Sequence, residues 1–155
     1  MRNLAAFLVL VFLGLASGLA GGQPSQGAGR QAILDYQLTE AKANHLIAAI
    51  PQMTKYLMSL PDVRERLARS AKMTPAERLA QLENDPAAMA ILKQHELSAR
   101  DYMVGVPTLR MALMAAQGAA DSPNVVASPA NVAFANANLA QLKPKLDAAD
   151  GGAGK

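Results

Sequence analysis

His95-Glu96-Leu97-Ser98-Ala99 begins like the helix motif H-E-x-x-H, in which two imidazoles four residues apart face one zinc ion. Ala99 stands where the second imidazole belongs, and Ser98 has the type of a new helix cap, so the motif fails. His95 then reads as a partial cap near a helix C-terminus, its charged form favoured by the dipole. The chain's other histidine, His45, falls in line with Leu34, Leu38 and Ala41 and reads as part of an aliphatic stripe. Two histidines cannot complete a zinc site, which takes three protein ligands or more. They leave one alternative open: haem or a soft metal held by His45 or His95 together with Met, since thioethers select Cu(I) and bundles hold haem between facing side chains.

Other reactive constellations are missing. No Cys is present, which removes disulfides, thiolate metal sites, thioether-linked haem and a thiol nucleophile. No G-x-S-x-G occurs, and no serine lies three residues before a lysine. Gly151-Gly152-Ala153-Gly154-Lys155 imitates part of a phosphate loop, but Ala149 occupies the first glycine position, so the motif fails. Asp35 and Glu40 are not spaced to meet on one helix face. The chain is therefore expected to be non-enzymatic and to use no cofactor.

Arg110 is the one charge between Tyr102 and Gln117, the most apolar helical pattern in the chain. A buried guanidinium is costly unless paired, so a carboxylate from elsewhere is expected, with Glu40 and Asp35 the first choices. Gly105-Val106-Pro107 weakens the same helix and frees a carbonyl at Met103. Arg110 with Tyr102, Met103, Met111 and Met114 could line a pocket for an acidic amphiphile; the plainer reading of Arg110 is an internal ion pair, and of Met at helical spacing, gap-filling core.

These side chains must be positioned by helices. Alanine is abundant, β-branched residues are sparse, and no alternating apolar/polar run survives. Tyr36, Ala43, Ile47, Ile50 and Leu57 share a face of a first helix over residues 31–60, in which Pro51 should produce a kink or an end. Pro61 starts a short helix that carries Val63 and Leu67 inward. Thr74-Pro75-Ala76-Glu77, Asp85-Pro86 and Ser128-Pro129 each pair a capping side chain with a proline suited to the first turn. Ser98-Ala99-Arg100-Asp101 opens the Arg110 helix, which runs to Gln117 before a loop over 118–127. The expected fold is a single all-α bundle of five or six helices over residues 31–147, with a flexible linker at 21–30 and a frayed tail at 148–155.

Length and composition agree with one such domain. The chain has 155 residues, 51% hydrophobic and 17% charged: too apolar for disorder, too sparsely charged for a coiled coil. Aromatics at 4% argue against a platform for stacking bases or sugars. Residues 1–20 read as a cleaved signal peptide, with Arg2, an apolar run over 4–15 and small residues Gly18-Leu19-Ala20 at the cleavage site. The run falls short of the roughly 20 residues of a spanning helix, so no stable membrane anchor is expected. Without Arg2 the net charge of +3 becomes +2, a small excess. Arg64, Arg66, Arg69 and Lys72 are interrupted by Asp62 and Glu65 and read as a solvated face, not a nucleic-acid surface.

Three stretches together carry a resemblance: the signal peptide, Leu97-Ser98-Ala99-Arg100-Asp101-Tyr102 leading to Met111-Ala112-Leu113-Met114-Ala115-Ala116-Gln117, and Ser128-Pro129-Ala130-Asn131-Val132-Ala133-Phe134. The combination resembles small, uncharacterised, secreted all-helical proteins of Gram-negative bacteria. That resemblance implies export and a helical fold, and no activity. Leu38-Thr39-Glu40-Ala41-Lys42 is similar to the L-T-x-x-Q repeats of periplasmic stress-response chaperones, with Lys42 in place of Gln; it reads as a helix-cap signal. The expectation is an exported periplasmic binding or interaction protein, its partner a small apolar or anionic ligand or another protein. The alternatives are a haem or metal carrier and a chaperone-like protein with an apolar groove.

Overall fold

The computed structural model describes residues 24–151. Seven α-helices occupy that span: α1 (Pro24–Asp35), α2 (Glu40–Ser59), α3 (Val63–Ser70), α4 (Pro75–Glu83), α5 (Pro86–Gln94), α6 (Ala99–Met114) and α7 (Pro129–Gly151). A π-helical turn, Ala115–Ala119, continues α6 and is kinked at Gly118, whose φ of 96° favours glycine. No strand occurs among the described residues, so the protein is all-α with bundle-like packing.

The count exceeds expectation because the first predicted helix is two. The chain leaves the helix over residues 36–39 and re-enters at Thr39, whose hydroxyl accepts from Lys42 N at 3.3 Å. The break is held from a distance. Asn131, 1% exposed at the start of α7, accepts from Leu38 N at 3.0 Å and donates to the Tyr36 carbonyl at 2.7 Å. One side chain thus satisfies a buried N–H and a part-buried carbonyl that a continuous helix would have paired internally. The linker expectation is corrected as well, since α1 begins at Pro24. The tail is helical as far as Gly151. The signal-peptide residues 1–20 lie outside the described span, as do residues 152–155.

Local chemistry elsewhere follows the caps. Thr74 and Glu77 form a reciprocal capping box at α4, and Ser98 and Asp101 another at α6. Asp85 accepts from Ala87 N and Ala88 N at the start of α5. Pro51, Pro107 and Pro144 lie inside α2, α6 and α7, which continue past them. Each removes a donor, and tertiary packing outweighs that loss.

α6 is the central helix. It packs against α1, α2, α4, α5 and α7, and ten of its residues are buried. Leu109 of α6 meets Leu46 and Met53 of α2, Leu92 of α5 and Leu142 of α7 in one core. A fully buried side chain of this size stabilises by about 1.5–3 kcal/mol. Gly105 sets the α6–α2 approach: a Cβ there would lie 2.7 Å from Leu46 Cδ1 and 2.9 Å from the Tyr36 hydroxyl oxygen. A smaller cluster of Ile33, Met111 and Val126 lies under α1. α3 and α4 contain no buried residue. They lie at the periphery and carry half-buried Val63, Leu67, Leu79 and Leu82.

Candidate functional site

The peripheral pair leaves space beneath it. A cavity of about 150 Å³, partly open to solvent, is walled by Met53, Leu57 and Leu60 from α2 and its end, and by Val63, Arg66, Leu67 and Ser70 from α3. Arg78, Gln81 and Leu82 of α4, Asp85 and Ala88 at the start of α5, and Tyr102 and Met103 of α6 complete it. The cause is geometric. Short amphipathic helices of eight and nine residues present one or two aliphatic side chains per turn, too few to fill the gap to α6.

Its polar groups divide into those already engaged and those that are not. Both Asp85 oxygens accept from the Tyr56 hydroxyl, at 2.8 and 2.7 Å, and one also caps α5. That hydrogen bond, with burial, pushes the Tyr56 phenol above its ordinary range. Arg66 and Arg78 take part in none of the ion pairs among the described residues. The Arg78 Nε is buried and has no hydrogen-bond partner. Tyr102 is 8% exposed, and burial pushes its phenol up to about 12, with smaller opposed influences from Arg110 and Asp150. Pro107 has no N–H to offer the Met103 carbonyl, whereas the neighbouring Val104 carbonyl accepts from the Thr108 hydroxyl at 2.7 Å.

The five predicted ligand residues are therefore split. Tyr102 and Met103 line the cavity. Met111 is buried with Ile33 and Val126, and Met114 is 41% exposed. Arg110 belongs to a different arrangement. Its guanidinium donates to both Asp150 oxygens, Nη2 at 2.7 Å and Nη1 at 3.0 Å, tying α6 to the last turn of α7. The expected partners were Glu40 and Asp35; both sit near the α1–α2 break, and the true partner lies 40 residues downstream. Asp150 stands where a helix C-terminus disfavours negative charge, so the guanidinium offsets the dipole as well.

A polar cluster closes the opposite end of α6. Tyr36 donates to Asp101 at 3.1 Å, and Lys42 sits 4.9 Å over the Tyr36 ring and 3.9 Å from Asp101. Burial opposes ionisation of Asp101, but hydrogen bonds from Ser98 and Tyr36, with Lys42 nearby, hold its carboxyl below the usual range. Burial first, and Asp101 second, raise the Tyr36 phenol.

The histidines are not brought into a metal-binding group. His45 faces the exposed Glu96 at 3.7 Å. His95 is the C-cap residue of α5, but its Nε2 is buried without a partner, so the imidazole itself caps nothing. No group of three or more His, Cys, Asp or Glu side chains placed to hold a metal ion occurs among the described residues, and none of their helices is long and apolar enough to cross a membrane.

Sequence reasoning missed Arg66 and Arg78. Arg66 was placed on a solvated face, and it is exposed, yet it also lines the cavity beside Leu67. A signal was available in the spacing. Val63, Arg66, Leu67 and Ser70 share one face of α3, and Arg78, Gln81, Leu82 and Asp85 share one face leading from α4 into α5. No family model, curated protein or solved structure matches this chain.

Proposed function

We propose that this chain is a non-enzymatic binding protein that holds a small apolar molecule between its peripheral helices α3 and α4 and its central helix α6. The observation that carries the reading is the cavity itself: an apolar-walled space of about 150 Å³ where a helical bundle of this size would otherwise close its core. A space of that order is large enough for a molecule the size of benzene. Polar side chains in its lining, Arg66 and Arg78 among them, fit the usual composition of a ligand pocket. Export belongs to the same proposal and rests on Arg2, the apolar run over 4–15 and Ala20.

The methionines give a direct test. Met53 and Met103 line the cavity, and Met111 lies in the separate cluster under α1. With ¹³C-methyl methionine labelling, titration with 1-octanol should move the Met53 and Met103 resonances saturably and leave Met111 in place. Absence of any saturable change at Met53 and Met103 up to the solubility of octanol would remove the reading.

A further inference from the structure

The apolar walls say that a ligand enters; the charges at the rim say which kind. We propose that the ligand is a medium-chain carboxylate, its head group held by Arg66 and Arg78 and its chain lodged against Leu57, Leu67, Leu82 and Met103. This rests on the cavity being a ligand site, as proposed above.

Three observations converge. Arg66 of α3 and Arg78 of α4 line one cavity from two adjacent helices, and neither is committed to an ion pair among the described residues. The one carboxylate in the lining, Asp85, is engaged by the Tyr56 hydroxyl and the α5 N-terminus and forms no ion pair with either arginine. The Arg78 Nε is a buried donor without an acceptor. A guanidinium presents its donors in a planar fork that matches the two oxygens of a carboxylate. A neutral head group would leave that fork unmatched, and an ammonium would be repelled by it.

Size limits the rest of the molecule. A space of about 150 Å³ holds a chain of about six carbons, and the open side lets a slightly longer one protrude. Octanoate, 1-octanol and octylammonium therefore share a tail that fits and differ only in the head.

Isothermal titration calorimetry with these three probes at pH 7 tests the proposal on the full chain. Octanoate should bind at least tenfold more tightly than 1-octanol, and octylammonium more weakly than either. Arg66→Gln and Arg78→Gln should each bring the octanoate-to-octanol ratio toward one. Arg66 is exposed, so its replacement leaves the fold in place even if the Arg78 variant is destabilised. Arg69→Gln, on the same helix but outside the cavity, should keep the wild-type ratio. Equal affinity for octanoate and octanol would overturn the head-group assignment and leave the cavity reading standing. So would preference for octylammonium, or an Arg69→Gln effect as large as that of Arg66→Gln. Failure of all three probes to bind would remove both.

Discussion

The two halves of this molecule solve helix packing differently. α2, α6 and α7 interlock through side chains with no exposed surface, such as Leu46, Leu109 and Ala135, and through the Asn131 clamp and the Arg110–Asp150 bridge. α3 and α4 bury no residue completely, and their side chains Val63, Leu67 and Leu82 border a cavity. Both regions have well-formed helices, and α4 and α6 each open on a capping box. The difference teaches that helix formation and core formation are separate here. The capping box of α4 is as complete as that of α6, yet only α6 is packed into the core. A region with formed helices and an unfilled interior is suited to admit a ligand at small cost to the rest of the fold.

The most severe test of this contrast is the same truncation in each half. Leu109 is 0% exposed, and Leu109→Ala should cost about 2–5 kcal/mol, since rigid neighbours cannot close the hole. Leu67 is half-buried and already borders empty space, so Leu67→Ala should cost less than about 1 kcal/mol, below the roughly 2–5 kcal/mol of a buried leucine. Urea unfolding of both variants, with unchanged m-values, measures the gap directly. Equal losses would mean that α3 is as much part of the core as α6 and would end the distinction.

A smaller effect is expected at the bridge between α6 and α7. The Arg110 and Asp150 side chains are 22% and 34% exposed, so solvent screens the pair. A fully buried pair broken on one side costs about 3–5 kcal/mol; with this exposure, about 1–2 kcal/mol is expected for Arg110→Met. Asp150→Asn should cost less than that, and the double variant less than the sum, with a coupling of roughly 0.5–1 kcal/mol. Additive losses in the thermal melts of this cycle would show that the bidentate geometry contributes nothing. Loss of octanoate binding in Arg110→Met would place Arg110 functionally in the cavity, against its position in the structure.

The caps explain why so much of the fold was legible in the sequence. Thr74-Pro75, Asp85-Pro86 and Ser98-Asp101 act over three or four residues, so local order alone defines where those helices begin. The burial of Tyr102, Leu109 and Leu113 follows from the charge-free run around them. What stayed hidden depends on residues far apart in the chain. The α1–α2 break is stabilised by Asn131, more than 90 residues away, and the Arg110 partner lies at the end of α7. A periodic apolar pattern continues across a break that a distant amide enforces, so residues 31–60 look like one helix. The candidate site was legible only in part. Tyr102 and Met103 stand out by their helix, but Arg66 and Arg78 look like ordinary solvated charges until α3 and α4 are placed against α6.

Thr74→Ala should produce the smallest effect and the most local one. The Thr74 hydroxyl accepts from Glu77 N at 3.2 Å, and the Glu77 carboxylate accepts from Thr74 N at 2.7 Å. Removing such a cap costs about 1 kcal/mol. In α4 that loss falls on a helix with no buried residue, so it should appear as local opening of the peripheral layer and not as global unfolding. Amide hydrogen exchange reads the difference. Protection over residues 79–83 should fall about fivefold, the factor that corresponds to about 1 kcal/mol. Amides of Leu109 and Leu113 in α6 should keep their protection, because their slowest exchange follows opening of the core. A uniform fall across α4 and α6 would mean that both halves open together. The peripheral helices would then be an integral part of one cooperative unit, and the cavity a packing defect within it.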